Sequence, residues 1–399
     1  MLVLSSLTAA TTLSVWLDCG LMPWTMTFPH EIHKLESKLN SRLLDDFTGE
    51  RTGFVQVGQQ KWFLPSKYEH QAVGYHNMTL RSDDIWVVTF PRSGTTWTQE
   101  LLWLLNNDFD YDTARRVNLV ERFPFLEELG VCGDGGRTPL RPGDKLHLPE
   151  NNIFTSITCA QCRRTFSTLL DKEVKGEVIA KNPDNPDCAT ILDSWETPGY
   201  RFSSNMISPR HFKTHLPFSL LPPRLLDTCK VVYVARNPKD VAVSYYHHNR
   251  LLTVQGYQRD FATYWNYFEH NLLIGCPYWT HLTEAWDKRN HPNMMFLFYE
   301  ELSKDIKSSI NKISQFLGKQ LTIKQMEDLA THLHIDNFRN NPAVSPIFGL
   351  RGLVRQGEQA FIRTGKVGGN SDYFTPELNV QANRWIEQNL QHTDLRFPC

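Results

Sequence analysis

The sequence predicts one α/β domain, built on a central parallel β-sheet with helices on both faces. Short, continuous apolar runs such as Ile85-Trp86-Val87-Val88 and Val231-Val232-Tyr233-Val234-Ala235 read as strands buried on both sides. Each run passes through a tight loop into a helical stretch, the order expected of a strand–loop–helix unit. An apolar fraction of 41% with 11 Trp supplies a large core for the 399-residue chain. Ile85–Phe90 and Val231–Ala235 are expected as central strands and Met294–Phe298 as another, in a sheet of about four or five.

The loop after the first run is Thr89-Phe90-Pro91-Arg92-Ser93-Gly94-Thr95-Thr96-Trp97. Gly94, lacking a Cβ, lets the backbone fold closely over an anion. The N–H groups of the helix that follows then point at that anion, beside the Ser93, Thr95 and Thr96 hydroxyls and the fixed charge of Arg92. This reads as a P-loop-like phosphate cradle, the alternative being an ordinary strand–helix turn with Ser or Thr capping its helix. It is neither a Walker A loop, where Lys follows the last Gly, nor a dinucleotide fingerprint, which needs three glycines.

A second strand–loop–helix, Lys230–Arg236 followed by Asn237-Pro238-Lys239-Asp240, places Arg236 beyond a strand's carboxyl end, where open α/β sheets bind ligands. Ser244 lies about two turns into the following helix, within reach of the same phosphate. In Phe212-Lys213-Thr214-His215-Leu216-Pro217, Lys213 and His215 are two residues apart on an extended segment and project to one side. A histidine there is a candidate base near neutral pH.

Taken together, these segments resemble the soluble sulfotransferases that use 3′-phosphoadenosine-5′-phosphosulfate (PAPS). The matching stretches also include Phe296–Leu302 and Phe361–Asn370, occur in family order and cover most of Trp62–Ile386. The resemblance implies that Arg92, Ser93, Gly94, Thr95 and Thr96 hold the phosphosulfate end of the donor. By the same resemblance Trp97 is expected to stack on the adenine with Tyr299 near it, and Arg236 and Ser244 to grip the 3′-phosphate with Arg363, Thr364 and Gly365. The implied catalytic set is His215 as base, with Lys213, Arg92 and Ser244. PAPS leaves as 3′-phosphoadenosine-5′-phosphate (PAP), and no metal is required.

The chain departs from the family pattern at defined places. Arg92 stands where most soluble members carry Lys, and its planar fork is not equivalent to a compact ammonium. Thr364 replaces a 3′-phosphate cation, Gly368-Gly369-Asn370 replaces Gly-Asp-Trp, and Leu333-His334-Ile335 replaces Thr-Ser-Phe beside the adenine. The family's dimer motif is largely absent from Ser371–Val380, so a homodimer by that mode is in doubt.

With 42 Lys+Arg against 43 Asp+Glu, no global charge argues for nucleic acid or an acidic membrane surface. Residues 1–45 are expected to lie outside the fold and residues 46–399 to form the sulfotransferase domain. The apolar stretch Leu2–Leu17 is short and rich in Ser and Thr for a membrane span and reads as a disordered or misassigned terminus, with a secretory or anchor signal as the alternative. An atypical insert at about 130–190 reads as a passive surface loop or a lid on the acceptor pocket, with a helix over Asn152–Leu170. Cys159-Ala160-Gln161-Cys162 has metal-ligand spacing but lacks a completing pair. Phe125, Phe218, Tyr245, Tyr246 and Tyr257 are candidate acceptor-pocket residues beside His215.

The expectation is therefore a cytoplasmic PAPS-dependent sulfotransferase acting on a small lipophilic alcohol, phenol or amine. The alternatives are a membrane-tethered carbohydrate or protein sulfotransferase and a non-catalytic PAP- or PAPS-binding relative. Elimination of the installed sulfate, a net dehydration, is a further outcome open to the family.

Overall fold

A computed structural model describes residues 27–127, 172–194, 198–344, 349–363, 365 and 367–398. Four parallel strands form the central sheet: β4 (Ile85–Thr89), β5 (His211–Thr214), β6 (Lys230–Ala235) and β7 (Met294–Phe298). Their spatial order is β5-β4-β6-β7, so β4 and β6 are the two central strands, as the apolar runs predict. The chain leaves β4 toward one edge and then crosses to build the other, which makes the crevice between β4 and β6 the topological switch point.

Alternation along these strands divides the core into two layers. Trp86 and Val88 of β4, with Val231, Tyr233 and Ala235 of β6, face one cluster. Ile85 and Val87, with Val232 and Val234, face the other. Every residue of β4 is buried, which is why the run reads as continuous rather than alternating. The entrance to β4 and β5 is pinned by Arg210, whose Nε and Nη2 bond both Asp84 carboxylate oxygens at 2.7 and 2.5 Å. The same guanidinium bonds the Ser203 and Thr79 carbonyls, so each of its three nitrogens has a partner.

Two helices matter most for the site. Helix α2 (Thr95–Asn106) follows β4, with Gly94 as its N-cap at φ +106°. Helix α3 (Pro238–Leu251) follows β6; the Asn237 side chain caps it by accepting from the Lys239 N–H, and Pro238 takes the first helical position.

The amino-terminal boundary lies earlier than position 46. Strand β1 (Ile32–Lys34) pairs antiparallel with β2 (Phe54–Val57), which pairs with β3 (Trp62–Pro65). Helix α1 (Ser37–Asp46) buries Leu43 completely, and Asp46 accepts the Tyr267 hydroxyl at 2.6 Å and Arg259 Nε at 2.5 Å. Residues 32–45 are thus part of the fold; their apolar positions are too sparse to show it without their partners. The apolar stretch Leu2–Leu17, the expected helix over Asn152–Leu170 and Cys159–Cys162 lie outside the described residues. No helix among the described residues is long and apolar enough to cross a membrane.

The carboxyl-terminal part of the insert is packed rather than loose. Helices Lys172–Lys181 and Cys188–Ser194 bury Val178, Cys188 and Leu192 against Leu350 and Leu353. Asn182 secures the contact: its amide donates to the Arg351 carbonyl at 2.9 Å and accepts the Arg351 N–H at 2.9 Å.

Candidate active site

One cavity of about 430 Å³ opens across the carboxyl ends of the parallel strands. Arg92 follows β4, His215 follows β5, Arg236 follows β6 and Tyr299 follows β7, and all four line it. Also on its wall are Gly94, Thr95, Thr96, Trp97, Lys213, Ser244, Arg363 and Gly365. Thr364 lies outside the described residues, and Ser93 is buried just behind the loop.

The cradle's shape follows from its backbone. Arg92 and Gly94 both adopt positive φ, +68° and +106°, turning the chain sharply from β4 into α2. Arg236 Nη1 donates to the Arg92 carbonyl at 3.1 Å and braces the turn. A Cβ on Gly94 would lie 2.6 Å from Tyr299 Cδ2. Gly94→Ala is therefore expected to add about 1–2 kcal/mol of backbone strain and to displace Tyr299. PAP affinity, measured by calorimetry, should fall by about tenfold or more.

Positive charge converges on this loop. Arg92 donates from Nε to Ser244 Oγ at 3.2 Å and from Nη2 to the Phe361 carbonyl at 2.7 Å, and its guanidinium lies 4.7 Å from the Phe361 ring centroid. Burial, with Arg236 and Arg363 nearby, lowers the Arg92 pKa to about 10, which leaves it protonated at neutral pH. Neither Arg92 nor Arg363 has a carboxylate partner among the described residues. Ser93 Oγ is likewise buried with no hydrogen-bond partner. Arginines without carboxylates, an orphan hydroxyl and a helix N-terminus together describe a site for a polyanion.

Trp97 and Tyr299 form a slot on one side of the cradle, their ring centroids 6.1 Å apart at a steep angle. Trp97 Nε1 donates to the Leu333 carbonyl at 2.9 Å, which fixes the indole plane. Leu333, His334 and Ile335 all line the cavity here, so the altered segment keeps its place although its residue types differ. Asn370 has found another use: its amide donates to Asp240 Oδ1 at 2.7 Å while the Gly368 N–H donates to Oδ2 at 2.8 Å. Together these bonds tie the loop that carries Arg363 to the start of α3.

On the other side, His215 is held by an unbroken set of bonds. Its Nδ1 lies 2.8 Å from the Thr89 carbonyl, an acceptor only, so Nδ1 carries the proton and Nε2 keeps its lone pair. The His215 N–H donates to Glu127 Oε1 at 2.6 Å. Its carbonyl accepts from His281 Nε2 at 3.0 Å, and His281 Nδ1 accepts from the Tyr233 hydroxyl at 2.8 Å. Burial, with Lys213, His281 and Arg92 nearby, lowers the His215 pKa to about 3 and keeps it neutral. Lys213 Nζ sits 4.2 Å from the Phe125 ring centroid, and that ring meets His215 edge-on at 5.0 Å.

The chain's relatives agree with this geometry. Residues 82–394 match the family model described as "Sulfotransferase domain". The chain belongs to the PAPS-dependent sulfotransferases. It is 30% identical to luciferin sulfotransferase of Photinus pyralis over 354 residues, covering 87% of this chain and 81% of the relative. It is 25% identical to sulfotransferase 1E1 of Bos taurus, covering 81% and 90%. Among solved structures, retinol dehydratase in complex with androsterone and the inactive cofactor PAP superposes with a TM-score of 0.74 at 34% identity, covering 93% and 99%.

Not every expected pocket residue of this sulfotransferase is in the pocket. Phe125 and Tyr245 line the cavity, whereas Phe218, Tyr246 and Tyr257 do not. Tyr257 packs at 5.0 Å from Tyr264 and 4.8 Å from Phe47, inside the aromatic core, and Tyr246 contacts both Tyr257 and Tyr264. Neighbouring aromatics on a helix point in different directions, and only the packed fold says which one faces the ligand. Conversely, Thr89, Glu127, His248 and His281 were missed. Thr89 and Glu127 act through a carbonyl and a backbone contact across the fold, for which no local pattern exists.

Proposed function

We propose that this sulfotransferase moves the sulfuryl group of PAPS onto the hydroxyl (or amine) of a small lipophilic acceptor by in-line displacement. The observation that carries the proposal is the bare Nε2 of a neutral His215 beside Lys213 and the Arg92 loop in one cavity. As the acceptor oxygen bonds to sulfur, its proton passes to Nε2 and the sulfur–oxygen bond to the PAP phosphate breaks. Lys213 and Arg92 face the charge that develops on the sulfuryl oxygens and the leaving phosphate. Arg236, Ser244, Arg363, Thr364 and Gly365 hold the 3′-phosphate, and Trp97 and Tyr299 the adenine.

A lipophilic acceptor is supported by the cavity's apolar lining beyond His215, which includes Leu64, Phe125, Leu216, Tyr245 and Ile274. Retinol and androsterone bound to the structural relative point the same way. The cytoplasm is the proposed compartment, on the resemblance to the soluble branch. The test is transfer of radiolabelled sulfate from PAPS to a panel of phenols, sterols, retinoids and amines. Products are also read by mass, because an acceptor that eliminates its sulfate retains no label. PAP binding without turnover of any panel member would replace this reading with a nucleotide-binding one.

A further inference from the structure

The acceptor side of the cavity carries polar atoms that the apolar lining does not explain. Tyr68 Oη, His248 Nδ1 and Gln255 Oε1 have no hydrogen-bond partner among the described residues, and all three residues line the cavity. Buried polar groups left without partners are rare and destabilising, so a cluster of them around one cavity marks where a ligand's polar atoms go.

His248 is the best placed of the three. It lies four residues beyond Ser244 on α3, on the same helix face and about 6 Å further along the axis. Ser244 marks the donor end of that face through its bond to Arg92. The Phe361 ring bridges the two regions, packing against the Arg92 guanidinium at 4.7 Å and the His248 ring at 5.6 Å. Burial, with Arg92, His215 and Lys213 around it, holds His248 well below the usual imidazole range. It is neutral and offers one donor and one acceptor. The reacting hydroxyl does not need it, since that proton goes to His215 and that lone pair to sulfur.

We infer that His248 selects acceptors bearing a second oxygen close to the reacting hydroxyl, by hydrogen-bonding that oxygen. The substrate class is an oxygenated lipophile, such as a catechol, a diol or a hydroxy ketone, rather than a plain hydrocarbon alcohol. This rests on the sulfuryl-transfer reading above. It makes His248 a specificity residue, because a site built to hydrogen-bond a polar group discriminates against analogues that lack it.

The experiment compares kcat/KM for hexyl-substituted phenol, catechol and resorcinol in the wild type, His248→Phe and His248→Asn. The wild type should favour a dihydroxy acceptor over the phenol by about tenfold or more. His248→Phe should bring that ratio to about one, and His248→Asn should retain part of it, because the amide keeps a donor and an acceptor. PAP affinity by calorimetry checks folding, and His248→Leu gives the same comparison if the Phe variant does not bind PAP. No preference in the wild type, or a preference that survives His248→Phe, overturns the inference while leaving sulfate transfer standing. Transfer to none of the three acceptors, nor to the wider panel, overturns the underlying reading and the inference with it.

Discussion

Replacing His215 with alanine is expected to lower sulfate transfer by about 10²–10⁴-fold, the usual range for loss of a positioned general base. PAP affinity should change far less, since His215 faces the acceptor side of the cavity. Rapid-mixing turnover with radiolabelled PAPS, alongside calorimetry with PAP, separates the two effects. Equal losses in both would mean that the substitution has damaged the fold rather than the chemistry.

The acid–base behaviour of this histidine gives an independent check. Its pKa is depressed to about 3 in the folded protein, against about 6.5 when exposed. The folded imidazole therefore stays neutral across pH 5–8, and its ring resonances in an NMR titration of the free protein should not move in that window. PAP brings negative charge toward Arg92 and should raise the pKa. The sign for stability follows: below about pH 6.5 the unfolded chain takes up a proton that the folded site refuses. His215 thus lowers stability progressively as pH falls from there toward about 3. His281, depressed to about 4 by burial, acts in the same direction.

Arg236→Ala is expected to weaken PAP binding by about 10²-fold or more, because charge-assisted bonds to phosphate contribute roughly 1.5–3 kcal/mol each. The side chain has three tasks that alanine cannot perform. It donates to the Arg92 carbonyl at 3.1 Å, its guanidinium lies 4.2 Å from the Tyr299 ring centroid, and it faces the cavity with its charge. Arg236→Lys should recover only part of the affinity, since an ammonium cannot bond both the carbonyl and a phosphate in the plane that stacks on Tyr299. Full recovery by lysine in calorimetry would show that charge alone matters at this position.

The elements most legible in the sequence were those defined by local chemistry. The runs at Ile85 and Val231 are continuous because both strands are covered on two faces, and the structure places them at the centre of the sheet. Gly94 was legible as a turn residue because no other side chain takes φ +106° without strain. The segment Ile32–Asp46 was not, because β1 is only three residues long and shows its role only once β2 lies beside it. The aromatic pocket was partly misread for a related reason. Tyr245 and Tyr246 are adjacent in the chain, but helical geometry turns them about 100° apart, so Tyr245 reaches the cavity while Tyr246 packs, half-buried, against Tyr257 and Tyr264.

By itself the sequence determined the fold class and the residue types of the anion cradle, because strand periodicity, turn chemistry and helix capping act over a few neighbouring residues; the family was legible only through the resemblance of its motifs. Only the tertiary structure decided which nitrogen of His215 is free, since that depends on a carbonyl of Thr89, 126 positions away in the chain. It also decided that Arg92 leans on Phe361 and that His248 shares a wall with Ser244. Proton positions and unsatisfied donors arise from distant segments brought into contact, and no short stretch of sequence encodes them.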